Sequence, residues 1–370
     1  MLVSMKQKRA YRSRFYPTPD QATVLARTFG CARYIYNWAL RLRTDASYER
    51  QERIGYHEAS AALTALKQQP EAAWLNEVSS SVPLQQALRH LDRAFHHFFA
   101  GRAKYPTFKK KRGRQAATYA SSAFRWDAET RTLFLAKMNA PLDIRWSQSF
   151  KGAPSTVTVS KDTAGRYLVS FLIEEDIQPL SIVNAMVGVD MGLKDVAVFS
   201  TGEKIANPRH LHRSERRLAH AQQNLARKKR GSKNRDKARL KVARIHAKIA
   251  DQRTDGLHKL TTRLIRENQV ICVESLAIKH MVRNPSLAKS MSDVGWGELV
   301  RQLEYKADWY GRTLVRIDRW YPSSQRCQAC GHVLDSLPLD VGQWTCPECS
   351  VRHDREINAA KNVLAVGRTV

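Results

Sequence analysis

The chain switches between two hydrophobic periods, and the switches divide it. Residues 1–17 hold a short basic strand segment at 9–16. A helix follows: Thr18 suits an N-cap, Pro19 the first helical position and Gln21 the capping-box position. Leu25, Phe29, Ala32, Ile35 and Ala39 then fall on one helical face. Further helical patterns cover 56–67 and 84–99, the second with a stripe of Leu84, Leu88, Leu91, Phe95 and Phe98. From 118 to 175 the period becomes two, with the clearest strands at 155–160 and 167–173 and a turn at 162–165. The segment 1–17 is expected to return to this sheet, giving one β-rich domain with a helical insertion.

Near Asn184 the pattern starts again. Segments 187–190 and 196–199 read as a hairpin. The stretch 213–253 reads as an antiparallel helix pair broken at Gly231-Ser232. A buried-type strand at 270–273 ends in Glu274. After it come a helix at 293–310, a strand at 313–317, a cysteine-bearing segment and a last helix from Asn358. The fold class is α/β, in several domains.

Charge changes the picture. The chain has 370 residues, with 62 Lys+Arg against 34 Asp+Glu, a formal net charge of +28. Such an excess attracts polyanions. It is clustered: between 213 and 248 lie 14 Lys/Arg and 2 acids. Like charge at that density calls for a counter-polyanion, so Arg227, Lys228, Lys229, Arg230, Lys233 and Arg235 are expected to contact nucleic acid. A second basic loop carries Lys109, Lys110, Lys111 and Arg112 near Tyr105 and Phe108, a composition that suits backbone and stacking contacts. No stretch reaches the roughly 18 apolar residues of a membrane span, and the basic N-terminus lacks an apolar signal core.

Two motifs carry chemistry. Cys327-x-x-Cys330 and Cys346-x-x-Cys349, fifteen residues apart, have the spacing of a four-thiolate zinc ribbon. Four sulfur ligands close the site, so this zinc is structural. Cys31 and Cys272 stand alone among apolar residues and read as small buried hydrophobes. Paired Cys-x-x-Cys motifs in a long chain indicate a reducing, cytoplasmic setting. The second motif is a set of acids: Asp190 and Glu274 at strand ends, then Asp354 and Glu356 just before a helix. Carboxylates in that order match the element pattern of an RNase H-like sheet, whose acids meet at one edge and hold magnesium for phosphodiester hydrolysis.

Several stretches carry a wider likeness: 16–21 (YPTPDQ), 29–34 (FGCARY), 37–40 (NWAL), 187–193 (VGVDMGL), 273–276 (VESL), 323–327 (SSQRC) and 354–362 (DREINAAKN). Nearly end to end, the chain resembles the TnpB family, transposon-associated RNA-guided DNA endonucleases related to the type V CRISPR effectors. The resemblance implies a RuvC-like nuclease domain at 184–370, with a basic helical insertion at 208–255 and the zinc ribbon at 320–353. It implies a β-barrel-like wedge domain at 1–17 and 115–180, and a helical recognition-like domain at 18–114. The implied activity is magnesium-dependent cleavage of double-stranded target DNA beside a short target-adjacent motif, directed by a guide RNA from the transposon end. The implied protein is a monomer, nucleoid-associated when bound. Asp190 and Glu274 match the first two catalytic acids. The family's last motif is usually Asp-Arg-Asp-x-Asn; here Glu356 stands at the second acid, with Asp354 as the other candidate. That departure leaves open a nuclease-dead, RNA-guided DNA-binding repressor. A third reading is an RNase H-like transposase that acts without RNA.

Overall fold

The computed structural model describes residues 5–78, 80–277, 281, 283–338 and 340–369. Residues 1–4 of the expected N-terminal segment, and residue 339 of the expected ribbon, lie outside them. The described residues form two compact units, those within 6–175 and those within 176–369 together with Met5.

In the first unit, strand β1 (Met5–Tyr16) leads into helix α1 (Pro19–Glu49). The capping box is formed: Gln21 N–H donates to Thr18 Oγ1 at 3.3 Å, and Thr18 N–H to Gln21 Oε1 at 3.0 Å. All five residues of the expected face are buried. Helices α2 (Tyr56–Gln68), α3 (Trp74–Val78) and α4 (Ser81–Phe99) follow. Leu84, Leu88, Leu91 and Phe95 join Ile35, Ala39, Leu63 and Leu75 in one apolar cluster. The sheet is built from β1, β2 (Gln115–Ala120), β5 (Asp143–Arg145), β6 (Thr156–Lys161) and β7 (Tyr167–Ile177) in the order β2-β6-β7-β1-β5. The N-terminal segment does return to this sheet, paired antiparallel with β5. Strands β3 (Phe124–Asp127) and β4 (Thr132–Leu135) form a separate ribbon that the sequence pattern does not reveal.

The second unit is a three-layer sandwich. Its sheet has the order β10-β9-β8-β11-β12. Strands β8 (Met186–Asp190), β11 (Val270–Glu274) and β12 (Thr313–Ile317) run parallel. β9 (Asp195–Phe199) is antiparallel to β8, and β10 (Lys204–Ala206) is antiparallel to β9. Helices α5 (His210–Ala226) and α6 (Lys233–Glu267) form the expected pair around Leu218, Ile245 and Ile249. α6 runs well past residue 253, because Leu257, Leu264 and Ile265 insert into the main core. The expected helix 293–310 is two helices, α7 (Pro285–Val294) and α8 (Trp296–Tyr310), separated by Gly295 at φ 77°. The last helix, α9 (Arg355–Gly367), starts three residues earlier than expected, because Asp354 is its N-cap.

Strand parity sorts the two faces. Val187, Val189, Ile271 and Val273 join Leu264, Leu299 and Leu303 on one side. The alternate residues Gly188 and Cys272 face α9, since side chains along a strand alternate sides. Asp190 and Glu274 share that second parity. Strands β13 (Gln343–Thr345) and β14 (Arg352–Asp354) pair antiparallel within the cysteine segment. Among the described residues, no helix is long and apolar enough to cross a membrane.

Candidate active site

β8 and β11 lie side by side with Val189 opposite Val273, so the next residues, Asp190 and Glu274, finish neighbouring parallel strands together. Adjacent strands are about 4.8 Å apart. Two carboxylates with the same parity at that separation repel. Burial, then the charges of Glu274 and Glu356, push the Asp190 carboxyl up to about 7. Arg355 and the Met191 N–H only partly oppose this. A half-buried acid held up by two other acids is a site that favours a cation.

Glu356 reaches the site from the first turn of α9. A Cβ built on Gly192, two residues past Asp190, would stand 3.8 Å from Glu356 Oε1. Its other oxygen, Oε2, accepts from Lys204 Nζ at 3.0 Å. Lys204 also donates to both oxygens of Asp354, at 3.0 and 2.9 Å. Burial opposes the Lys204 charge, yet the bonds to Asp354 and Glu356 prevail and its pKa is raised. Asp354 is also engaged by its own helix. Its Oδ1 accepts the N–H of Glu356 and of Ile357, each at 3.1 Å, capping α9. Burial raises its carboxyl, but Lys204 and these N–H groups outweigh it and leave the pKa lowered. Asp354 is therefore tied into the helix cap, while Glu356 is, with Glu274, one of the two acids whose charge raises Asp190.

The zinc-type cluster stands beside it. Cys327, Cys330, Cys346 and Cys349 are the one cluster among the described residues whose ligand atoms all lie within 4.8 Å of one another. The three carboxylates interact electrostatically without closing to that degree. The Cys327–Cys349 and Cys330–Cys346 sulfurs are 3.6 Å apart. Zn–S bonds of about 2.3 Å give tetrahedral edges near 3.8 Å, so the thiols fit zinc. Each Cys-x-x-Cys turn closes with a left-handed residue, Gly331 at φ 85° and Ser350 at φ 58°.

The cysteine segment is bolted to the acid site through residues of the 323–327 and 354–362 stretches to which the sequence assigns no role. Asn358 and Asn362 each donate to the carbonyls of Ser323 and Arg326, Asn362 at 2.8 and 2.6 Å. Gln328 N–H donates to Asn358 Oδ1 at 3.0 Å. Ser323 Oγ in turn donates to Glu274 Oε1. Only the repeated asparagines in the 354–362 stretch hint at this; Lys204 gives no sequence signal. A cleft of about 770 Å³ opens next to Glu274, with Ser275, Arg301, Arg316 and Arg319 in its wall.

The basic candidates divide. Lys110, Lys111, Arg112, Arg227, Lys228, Lys229, Arg230 and Lys233 are exposed. Lys109 also lies at the surface, but its ammonium sits over the Tyr36 ring at 3.8 Å, where desolvation lowers its pKa. Arg235 is also engaged: its Nη1 donates to the carbonyls of Leu225 and Lys228, at 3.0 and 2.8 Å, closing the end of α5.

Residues 169–285 match the OrfB_IS605 family, described as "Probable transposase". Residues 296–363 match the Cas12f1-like TNB domain, and 5–52 a helix-turn-helix domain, HTH_OrfB_IS605. In this chain that last region is one strand followed by one 31-residue helix. A protein of Streptomyces pristinaespiralis named "Putative RNA-guided DNA endonuclease" is 54% identical over 363 residues, covering 97% of this chain and 89% of that protein. A relative of the same designation, InsQ of Escherichia coli (strain K12), is 31% identical over 382 residues, covering 99% and 94%. The fold resembles that of the protein in a cryo-EM structure of a Cas12f1-sgRNA-target DNA complex. The TM-score is 0.58 at 12% identity, covering 97% of this chain and 98% of that one.

Proposed function

From the premise that this chain belongs to the TnpB-like RNA-guided DNA endonuclease family of IS605 transposons, we propose that it is a magnesium-dependent nuclease. It takes a guide RNA and cuts double-stranded DNA beside a short target-adjacent motif. The observation that carries this reading is the pairing of Asp190 with Glu274 at the ends of parallel strands, where Asp190 is driven to about 7. The 3-2-1-4-5 order of the second sheet supports an RNase H-like, RuvC-type domain. Oxygen-only donors suit magnesium, and Asp190, Glu274 and Glu356 are the residues to hold it. When bound, such an ion polarises the phosphate and activates water. The chain's own part is to crowd the acids, keep Asp190 half-buried and fix Glu356 on α9.

Zinc at the four cysteines serves as a staple that places the Ser323 loop against Glu274. The Arg301, Arg316 and Arg319 wall beside Glu274 supports a seat for a DNA strand. Guide pairing reads sequence, while exposed Lys110, Lys111, Arg112 and the α5–α6 turn hold backbones. In this reading residues 184–370 are the nuclease domain, 208–255 its basic insertion and 320–353 its ribbon. Residues 18–114 hold guide and target, 1–17 with 115–180 form a wedge, and the protein works as a monomer. The test is cleavage of a target plasmid by purified protein with its co-purified RNA in magnesium. Wild type is expected to cut and Asp190→Asn to bind without cutting. Binding without cutting by wild type would establish a nuclease-dead repressor, and cutting without RNA a transposase-type activity.

A further inference from the structure

Glu356 divides its two oxygens. Oε2 is taken by Lys204 Nζ at 3.0 Å, while Oε1 lies over Gly192, beside the end of β8. Lys204 is itself fixed, because Asp354 holds its ammonium with both oxygens and is locked as the cap of α9. The partner strand β9 carries β10, so the ammonium comes from the sheet and the acid from the helix. Glutamate has one more rotatable bond than aspartate and needs an anchor if one oxygen is to keep its aim.

We propose that Lys204 is a positioning residue for Glu356: it clamps Oε2 so that Oε1 faces the Asp190–Glu274 pair and completes the divalent-cation site. This rests on the reading of those three acids as metal ligands. Outer partners of metal-binding carboxylates typically contribute 10–100-fold in affinity. A bare charge effect has the opposite sign. Removing a cation from the neighbourhood would by Coulomb's law tighten binding of another.

The test is titration of Mn²⁺ into the full-length, zinc-loaded protein, with free Mn²⁺ followed by electron paramagnetic resonance. Lys204→Met is expected to weaken binding by about 10-fold or more, and Lys204→Arg to restore most of it. In a Glu356→Gln background, Lys204→Met is expected to add nothing, because the lysine acts through that carboxylate. Melting curves of the zinc-loaded protein without added Mn²⁺ check the fold, and Lys204→Gln replaces Lys204→Met if the latter does not fold. Unchanged or tighter binding in the lysine variant, or an effect that persists without the Glu356 carboxylate, overturns the proposal. Asp190→Asn separates the two levels. If it abolishes Mn²⁺ binding while Lys204→Met does not, only the positioning role fails. If wild type itself binds no Mn²⁺, the three-acid site fails with it.

Discussion

Gly188 and Ala360 meet backbone to backbone: a Cβ on Gly188 would fall 2.1 Å from the Ala360 carbonyl oxygen. It would also lie 2.7 Å from Leu364 N and 2.8 Å from Leu364 Cβ. Gly367 makes the same kind of approach to Cys272, with 2.3 Å from a built Cβ to the sulfur. Two glycines and a small cysteine therefore let α9 lie directly on β8 and β11. That contact sets how far Glu356 stands from Asp190.

Gly188→Ala is expected to lift α9 and move Glu356. Overpacking of this kind costs typically about 1–3 kcal/mol, and a shift of about 1 Å in a preorganised site can cost about 100-fold in rate. Denaturant unfolding and cleavage assays measure the two effects. Gly30→Ala is the control of opposite sign. Gly30 sits inside α1 with nothing within 4 Å of a built Cβ, so alanine there should stabilise by about 0.5–1 kcal/mol.

How much of this is legible in the sequence depends on whether the signal is local. Thr18, Pro19 and Gln21 announce a capped helix within four residues, and the structure forms that cap. Asp190 and Glu274 each end an apolar run, which marks the strand ends, and the parallel register of β8 with β11 then brings them together. Asp354 carries a second role that a candidate-ligand pattern does not announce: its short side chain caps the N-terminus of α9. Lys204 is invisible, since it lies 150 residues from Asp354 and meets it only through the β8–β9–β10 meander. The far end of α6 is hidden because its core-facing Leu257, Leu264 and Ile265 lie among exposed charges such as Lys259 and Arg266.

Magnesium-free protein should lose stability as pH rises through the range set by Asp190. The folded carboxyl is held at about 7, against 3.8 ordinarily. Between those values the native state keeps a proton that the unfolded chain has released. Stability from this group is thus fully present below about 4, falls as pH rises, and is gone above about 7. The slope is about 1.4 kcal/mol per pH unit, an upper figure for a group among charged neighbours. Melting of the zinc-loaded protein without added magnesium or manganese, from about pH 5 to 8, should show a fall that Asp190→Asn removes, and saturating magnesium should flatten it in wild type.

Asn362→Ala tests the bolt between ribbon and acid site. Asn362 is 3% exposed and donates to the Ser323 and Arg326 carbonyls. Alanine removes one of the two side-chain donors at each carbonyl, Asn358 still donating to both, at a cost of about 0.5–1.5 kcal/mol for each bond lost. It also frees the loop that brings Ser323 to Glu274. The expected result is normal zinc content with a lowered melting point and slower cleavage, checked by metal analysis beside the activity assay.

The α5–α6 turn offers a prediction in which neighbouring cations behave differently. Lys228, Lys229, Arg230 and Lys233 are exposed, whereas Arg235 closes the carbonyl end of α5. Alanine at the four exposed positions removes charge without disturbing a hydrogen bond that α5 needs. Each phosphate interaction removed should lower the slope of log affinity against log salt by about 0.7–0.9, read by nucleic-acid binding at several salt concentrations. The melting point should stay where it was. Arg235→Ala is expected to do the reverse, loosening the helix pair by about 1–3 kcal/mol as the Lys228 carbonyl loses its donor and the Leu225 carbonyl keeps only backbone N–H partners, with little change in salt slope. An equal salt-slope change from Arg235→Ala would mean that its guanidinium leaves the cap to meet a phosphate, and the division of roles along this turn would be wrong.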